Sequence, residues 1–472
     1  MLLTLLLVGL GLASPPPRTA RRAASLSTDS YRSSSGSVVG GGSAYDYAPS
    51  IMLDGVYKMW WCGQVPGQPV AGDSILYAES SSPDGPFHAR GSAASHQVVF
   101  GGTGSGSFDS EHTCDPSVVR AGGAYYMYYG AERRDGEPTT IGVASSPDGI
   151  TWARLNGGQP IITPANQQNT GNAYGAGQPS VVYRGGRFHL IFTDTTGAGA
   201  LGNGAGQFAW RSPDATFQQN VDVFTASGWQ PKTDANSRSF SVANAFSADW
   251  QFSDALDAFI VAHDNGPGET TLTLLDAENL AVHKYPQVGI PGPWSEGPGI
   301  VSRPDKHSVV SATNDCGRVP VDVIRSTTGQ PPRELAHIGV DLVGGASCGS
   351  IPDRVAAIYE GYGMQVPGLP AAVVVDGLRL QIQSLAVYTD LTHNAIQVPP
   401  SIYFAVPYGA SLHEGDAVLG ASGLPGAFRL DNNTLWPVSC LKIVTDNHSQ
   451  ITMIDAGRWL SYGRGPSLFC LS

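Results

Sequence analysis

The sequence predicts an all-β fold, and three observations carry that prediction. Of its 472 residues, 59 are glycine and 34 are proline, a content that disfavours helical bundles and suits short strands joined by tight turns. Hydrophobic residues make up 41% of the chain, so this glycine and proline content does not indicate disorder. A strand, turn and strand pattern also recurs along much of the chain.

The N-terminus is expected to direct secretion. The apolar run from Leu2 to Ala13 is too short to span a bilayer, and it has the length of a signal-peptide core. A buried terminal strand is the alternative. Residues 14–43 are rich in Ser, Gly, Pro and Ala, a composition typical of flexible linkers. We therefore predict a signal peptide at 1–13 and a linker at 14–43.

The strongest pattern in the sequence is a repeat of about 65 residues. Each copy has a Pro-Ser pair within a strand, then a glycine turn and an aromatic strand, and the prolines stand at Pro49, Pro116 and Pro179. A Ser-Pro-Asp element follows in phase after each pair. Its chemistry suits β-turns, so we interpret it as structural. Each copy therefore holds four strands.

Two weaker copies extend the repeat to five. One places strands around 243–246 and 257–262, and the other places them at 297–301, 308–310 and 321–326. Repeated four-stranded units indicate a propeller, because one blade alone cannot bury both of its faces. The sequence therefore predicts a five-bladed β-propeller over residues 44–345.

A second repeat, of about 55 residues, follows at the C-terminus. Residues 370–412 match residues 425–468, and apolar residues alternate with polar ones in both copies. We predict that residues 346–472 form a small, separate two-repeat β domain. Its sequons at Asn432 and Asn447 matter only in a host that glycosylates proteins.

The cysteines favour disulfide bonds over a metal site. None of the six belongs to a Cys-x-x-Cys pair, so a zinc or thioredoxin-type site is not supported, and we predict no metal and no other cofactor. An even number behind a signal sequence favours disulfides, with buried free thiols as the alternative. Joining sequence neighbours gives the pairs Cys62–Cys114, Cys316–Cys348 and Cys440–Cys470.

The charge distribution limits the possible partners. The net charge is −12, and no long basic run exists, which argues against a nucleic-acid partner. No segment beyond the N-terminus is apolar enough to predict a transmembrane span. We expect a secreted or cell-surface monomer.

Four residues just before the innermost strands are expected at the mouth of the central channel: Asp46, Asp115, Gln178 and Glu296. Two carboxyl groups that flank a sugar can hydrolyse its glycosidic bond, because one protonates the leaving oxygen while the other activates water or attacks. The acid needs a raised pKa, which burial and a like-charged neighbour supply. Such a pair predicts a site for a carbohydrate substrate.

These motifs resemble the five-bladed propeller glycoside hydrolases. The segments Asp115-Pro116-Ser117 and Glu296-Gly297-Pro298, together with the Ser-Pro-Asp-Gly turns, are similar to elements of glycoside hydrolase family 43 and of the invertase, levansucrase and mannoside-phosphorylase families. The resemblance covers the predicted propeller. It implies Asp46 as general base, Asp115 as the residue that tunes the pKa, and Glu296 as general acid. Glu111 is a rival acid, because Glu296 stands later in the repeats than the family order places it.

Further residues are predicted to bind substrate: Glu111, His112, Tyr174, Gln178, Asp194 and Trp294. The aromatic members offer flat faces to a sugar. The alternative for each acid is a turn or solvated residue, and the alternative for His112 is a structural histidine.

Together these observations predict a secreted glycoside hydrolase that cleaves a polysaccharide, such as arabinan or another furanose polymer, by an inverting mechanism. A non-catalytic carbohydrate-binding or cell-surface propeller is the alternative, which the amide of Gln178 favours. A phosphorylase would need basic residues at the pocket, and Arg133, Arg134 and Arg187 are the candidates.

Overall fold

The computed structural model describes residues 25–40, 45–165, 172–201, 205–264, 269–329, 332–392, 394–431 and 433–470. The expected signal peptide at 1–13 and the sequon at Asn432 lie outside these residues. Within the described ranges, no helix is long and apolar enough to cross a membrane.

The strands up to residue 343 form five antiparallel groups, which we call sheets 1 to 5. Strand β1 is Ser27–Ser37 and belongs to sheet 5. Sheet 1 contains β2 Asp46–Asp54, β3 Val56–Gly63, β4 Ser74–Ser80 and β5 Gln97–Phe100. Sheet 2 contains β6 His112–Ala121, β7 Ala124–Glu132, β8 Thr140–Ser146 and β9 Ala153–Arg154. Sheet 3 contains β10 Ala176–Arg184, β11 Arg187–Asp194, β12 Gln207–Ser212, β13 Asp222–Thr225 and β14 Gly228–Pro231. Sheet 4 contains β15 Ala248–Ser253, β16 Ala258–Asp264, β17 Glu269–Asp276 and β18 His283–Pro291. Sheet 5 adds β19 Glu296–Ser302, β20 Arg318–Thr328 and β21 Arg333–Val343 to β1.

The first strands of the sheets contact one another in a closed order: β2, β6, β10, β15, β19 and back to β2. The last of these contacts is a short parallel pairing of β19 with β2. A hydrophobic cluster fills the space between each pair of neighbouring sheets. Each sheet therefore buries both of its faces, which a single sheet could not do alone.

Four of these first strands carry the same irregularity. A residue with positive φ precedes a proline, and the strand pairing shifts there. These bulge residues are Ala48 (φ 47°), Asp115 (47°), Gln178 (48°) and Gly297 (61°). Bulges of this kind re-aim side chains and are frequent beside active sites. The four residues predicted at the channel mouth are therefore not equivalent, because Asp46 and Glu296 precede their own bulge residues.

Residues 27–37 form a strand, although their composition predicted a flexible linker. Strand β1 pairs with β21 at the outer edge of sheet 5. It is held there by ion pairs of Arg32 with Asp322 at 2.9 Å and with Asp341 at 2.6 Å. Its side chains are mostly exposed, so the serine-rich segment lacks the apolar alternation that marks a half-buried strand.

The strand positions predicted for the two weaker repeats are partly wrong. The first strand of sheet 4 is β15, not the segment 243–246, and the second strand of sheet 5 is β20, not the segment 308–310. The carbonyls of Ala245 and Phe246 instead accept hydrogen bonds from the side-chain amide of Gln207. The apolar character of these two segments was therefore not enough to distinguish a strand from a buried loop.

The C-terminal residues form two further five-stranded sheets with short helices. The first contains α1 Pro352–Ile358, β22 Tyr362–Gln365, β23 Ala372–Val375, β24 Leu378–Ile382, α2 Leu385–Leu391, β25 Asn394–Gln397, α3 Pro400–Ala405 and β26 Tyr408–Leu412. The second contains β27 Val418–Ala421, β28 Leu424–Arg429, β29 Thr434–Pro437, α4 Leu441–Asp446, β30 Ile451–Met453, α5 Ala456–Ser461 and β31 Gly463–Arg464. Short 3-10 turns lie at Asn156–Gly158 and Cys348–Ser350.

These helices differ from the all-strand pattern predicted for residues 346–472. The two sheets share one strand order, β25-β22-β23-β24-β26 and β30-β27-β28-β29-β31, with parallel pairs at both edges. Parallel neighbours need a crossover connection, which the short helices provide. Ser384 caps α2 and Asp455 caps α5, each accepting a backbone N–H through its side chain. Helices this short leave little periodic signal in the sequence.

The disulfide pairing of sequence neighbours is confirmed. Cys62–Cys114, Cys316–Cys348 and Cys440–Cys470 are bonded, with Cα–Cα distances of 4.9, 5.0 and 6.2 Å. The first bond ties β3 of sheet 1 to β6 of sheet 2, one residue before Asp115.

Two polar elements singled out by the sequence are structural. Asp148, in the second Ser-Pro-Asp turn, accepts the N–H groups of Ile150 and Thr151 at 2.8 and 2.7 Å. The sequon residue Asn447 is fully buried, and its amide donates to the His413 carbonyl at 2.8 Å. That side chain has no room for a glycan in this fold.

Candidate active site

The candidate site lies at the end of the sheets where the first strands begin. When two neighbouring strands run antiparallel, the start of the first strand and the end of the second strand lie at the same end of the sheet. Asp46 and Glu296 begin β2 and β19, and Glu132, Asp194 and Asp264 close β7, β11 and β16. The fold therefore gathers acids from five strands at one end.

Asp115, at the bulge of β6, lies beside this group of acids and is itself buried. It is 7% exposed, and the Tyr174 hydroxyl donates to its Oδ2 at 3.3 Å. Its Oδ1 is buried and finds no hydrogen-bond partner among the described residues. Burial, followed by the charge of Glu296, raises the pKa of Asp115 to about 8. The group is therefore a neutral carboxylic acid at neutral pH.

Glu296 is half-buried and stands one residue before a bulge. Burial, followed by the charge of Asp264, raises its pKa to about 7. The next residue, Gly297, permits this placement, because a Cβ there would lie 2.6 Å from the backbone nitrogen of Ala48. The close approach of β19 to β2 therefore fixes the backbone that carries Glu296.

Two tyrosines complete the cluster around Asp115 and Glu296. Burial, and then the charges of these two acids, raises the pKa of both Tyr47 and Tyr174. The Tyr47 hydroxyl also lies 2.7 Å from Sγ of Cys114. The cluster thus combines side chains from β2, β6, β19 and the segment before β10.

A narrow cavity lies behind this cluster, between the bulges of the first strands. Its volume is about 30 Å³, and Asp115, Gln178 and Asp249 contribute to its lining. Oε1 of Gln178 is buried and has no hydrogen-bond partner within the described ranges. This volume admits a water molecule but no sugar ring, so a sugar would have to bind on the Glu296 side of Asp115.

Asp46 lies at the same end but in different surroundings. It is 8% exposed, and its Oδ1 accepts the indole N–H of Trp61 at 2.7 Å. Burial lowers the pKa of His96, and the charge of Asp46 opposes that effect. The sequence-predicted trio is therefore gathered at one end of the sheets, with Asp46 beside Trp61 and His96.

Asp194, a predicted substrate ligand, has its carboxylate engaged by neighbouring residues. It is fully buried. Its Oδ1 accepts two hydrogen bonds from Thr196, and its Oδ2 accepts the Ala165 N–H at 2.9 Å and pairs with Arg238 at 3.0 Å. Both oxygens are committed to holding loops.

The remaining predicted binders border the cluster. Trp294 precedes β19 and is half-buried, and none of the residues that the structure describes forms a hydrogen bond with its indole nitrogen. Glu111 and His112 lie at the start of β6, where the Glu111 carboxylate accepts the Asp135 N–H at 3.3 Å. This contact ties Glu111 to the turn after β7.

Sequence reasoning missed Glu132 and Asp264 as neighbours of the site. Burial raises the pKa of both groups, and Asp264 in turn acts on Glu296. Each is the last residue of the second strand of its sheet, as Asp194 is. An acid at this position of the repeat is the sequence pattern that could have identified them.

Two of the three arginines considered for a phosphate site, Arg133 and Arg187, are engaged in ion pairs. Arg133 forms a surface pair with Glu137 at 2.9 Å. Arg187 pairs with Asp222 at 3.3 Å and begins β11, at the opposite end of sheet 3 from Asp194. Neither side chain supports a phosphorylase pocket.

No family model and no curated protein matches this sequence. Solved structures that resemble the fold include several glycoside hydrolases. A family 117 glycoside hydrolase from Zobellia galactanivorans is 12% identical, with 68% of this chain and 92% of that chain covered and a TM-score of 0.44. An α-L-arabinofuranosidase from Podospora anserina, in complex with cellotriose, is 13% identical, with 66% and 97% covered and a TM-score of 0.41. A glycosyl hydrolase from Bacteroides ovatus is 11% identical, with 64% and 85% covered and a TM-score of 0.38.

Proposed function

We propose that sheets 1 to 5 are the blades of a five-bladed β-propeller and that the protein is a glycoside hydrolase. The observation that carries this proposal is the pair Asp115 and Glu296, two carboxyl groups from different sheets in one desolvated cluster. Burial raises the pKa of both, and the charge of Glu296 raises that of Asp115 further. Carboxyl groups poised near neutral pH are typical of general acid–base sites. The three disulfides support secretion, and we expect a monomer that acts on a polysaccharide.

Glu296 is the proposed general acid. It is half-buried and so can reach a leaving oxygen, and a pKa of about 7 keeps its proton at mildly acidic pH. Asp115 is not a suitable base, because with a pKa of about 8 it is already protonated. Asp46 is therefore the proposed base, and Asp115 serves as a neutral group that orients Glu296 or a substrate hydroxyl.

The first experiment is a panel of polysaccharides, including arabinan, with reducing ends measured for wild type and Glu296→Gln. Loss of a general acid typically costs about 10²–10⁴ in rate, and we expect a loss of that size on the polysaccharide that wild type cleaves. Glu278→Gln is the matched control, because this exposed acid lies outside the site and pairs only weakly with Arg184 at 3.4 Å.

Leaving groups separate the acid from the base. A nitrophenyl glycoside needs little protonation, so Glu296→Gln should retain much more activity on it than on the polysaccharide. Asp46→Asn should lose activity on both substrates, because water must still be activated. If Asp46→Asn matches wild type on both, Asp46 is not the base. A large loss for Glu111→Gln alone would transfer the acid role to Glu111.

A carbohydrate-binding propeller without catalysis is the second candidate. It is favoured by the bulge positions, where Asp115 is the one acid beside Ala48, Gln178 and Gly297. Binding of a polysaccharide with no release of reducing ends, and with equal affinity for wild type and Glu296→Gln, would establish this function and refute hydrolysis.

A further inference from the structure

A second cluster of chemically active side chains lies at the same end of sheet 2. His112 and Glu132 stand directly opposite each other on β6 and β7, and Asp135 lies in the turn after β7. One ring nitrogen of His112 and one carboxylate oxygen from each acid lie within 4.8 Å of one another. Three potential metal ligands from two strands and a turn thus converge on one point.

The imidazole of His112 is already oriented. Its Nδ1 lies 3.3 Å from Oδ2 of Asp73 and 3.2 Å from the Asp73 backbone nitrogen. Its Nε2 is buried and has no hydrogen-bond partner in the described structure. Gly72 allows the close packing, because a Cβ there would lie 3.1 Å from Nδ1. The Asp73 N–H donates to Nδ1, and the Asp73 carboxylate is close enough to accept from Nδ1 when that nitrogen carries the proton and Nε2 binds a metal, which is the usual outer contact of a metal-binding histidine.

The two acids are held on either side of this ring. Oε1 of Glu132 accepts the Thr139 hydroxyl at 2.9 Å, which leaves Oε2 for another ligand. The backbone nitrogen of Asp135 donates to Glu111, which anchors the turn while the Asp135 side chain remains exposed. The arrangement is therefore closed by protein on the sheet side and open to solvent on the other.

The charge balance of this cluster favours a bound cation. Glu132, Asp135 and Asp73 surround one imidazole, and the arginine that follows Glu132, Arg133, turns away to pair with Glu137. A dication would relieve the repulsion among these acids and fill the gap in front of Nε2.

We propose that His112, Glu132 and Asp135 bind a divalent transition-metal cation such as Zn²⁺, with Asp73 orienting the imidazole. A nitrogen ligand beside two carboxylates suits zinc and its neighbours better than Ca²⁺ or Mg²⁺, which prefer sites built wholly of oxygen. Three protein ligands leave a fourth position open to water. The absence of Cys-x-x-Cys pairs does not bear on this set, and the proposal is independent of the glycosidase assignment.

Metal binding is tested directly. The full chain is treated with EDTA, dialysed against ZnCl₂, and its zinc content is measured together with the affinity by calorimetry. We expect one Zn²⁺ per chain for wild type and for His283→Ala, a matched control in which an exposed histidine far from the cluster is removed. His112→Ala and Glu132→Gln should lose the site, and Asp73→Asn should bind about 10–100-fold more weakly.

Several results would overturn the proposal. Wild type that takes up no Zn²⁺ would show that His112 is only the partner of Asp73 in an ion pair. Equal binding by His112→Ala and His283→Ala would place the zinc elsewhere. Should His112→Ala fail to fold, Asp135→Asn decides, because this exposed turn residue can change without disturbing the core, and unaltered affinity would rule the site out.

Discussion

Asp115 and Asp249 line the same small cavity, yet their surroundings are opposite. Asp249 is 5% exposed; its Oδ1 accepts hydrogen bonds from Lys306 and Ser180, and its Oδ2 accepts the Ile300 N–H at 2.7 Å. Asp115 has a single donor, the Tyr174 hydroxyl, and one oxygen with no partner. Both oxygens of Asp249 thus accept hydrogen bonds, whereas only one oxygen of Asp115 does so among the described residues.

The difference divides the buried acids of this fold into those that hold strands together and those that are candidates for function. A buried carboxylate with a cation and several donors holds strands together, and removing it leaves its partner unpaired. A buried carboxyl group without partners costs stability, and such groups concentrate at functional sites. Asp194 belongs with Asp249 by this criterion.

The largest expected effect on folding is at the satisfied acid. Asp249→Asn leaves the fully buried Lys306 without its counter-charge, and breaking a buried pair in this way typically costs about 3–5 kcal/mol. Chemical denaturation followed by tryptophan fluorescence measures the change. Asp257 is a half-exposed acid at the other end of sheet 4. If Asp249→Asn lowers the free energy of unfolding no more than Asp257→Asn does, Asp249 does not differ from an ordinary surface acid.

At the unsatisfied acid the expected effect has the opposite sign and depends on pH. The folded-state pKa of Asp115, about 8, is above the unfolded value, so its contribution to stability is fully present below pH 4 and is lost as pH rises toward 8. The Asn side chain of Asp115→Asn does not ionise, so this variant does not lose that stability as the pH rises. The variant should therefore gain stability over wild type between pH 4 and 8, by at most about 1.4 kcal/mol per pH unit. A constant difference across that range would contradict the raised pKa.

The sequence predicted much of the fold because three repeats carry strong turn motifs. It placed the bulge strands, the glycine turns and the disulfide partners correctly. It missed β1, because a polar edge strand pairs through its backbone and shows no alternation. For the fourth repeat it chose the wrong apolar segment, since only pairing with β16 identifies β15.

For the candidate site, the sequence identified the acids that adjoin a proline motif and missed those that only folding brings near. Glu132 and Asp264 close second strands, and they reach the site through strand pairing. Asp194 occupies the position of Asp264 in its own repeat. Its structural role depends on Arg238, a distant residue whose approach no local pattern predicts.

The smallest expected effect concerns which neighbouring residue raises the pKa of Glu296. The resemblance implied that Asp115 does so, but Glu296 ionises before Asp115, which is still neutral in that pH range. The charge that raises the pKa of Glu296 is that of Asp264. Asp264→Asn should therefore lower this pKa, and a general acid that loses its proton earlier should move the falling limb of the pH–rate profile to lower pH, by less than about one unit.

The profile of kcat/KM against pH distinguishes the two acids. Asp257→Asn, the same charge change at the far end of sheet 4, should leave the falling limb in place, so that a shift in Asp264→Asn reports proximity to Glu296 and not net charge. Asp115→Asn should lower the rate without moving that limb. The reverse pattern, with a shift for Asp115→Asn and none for Asp264→Asn, would mean that Asp115 is charged while Glu296 titrates, and it would return the tuning role to Asp115.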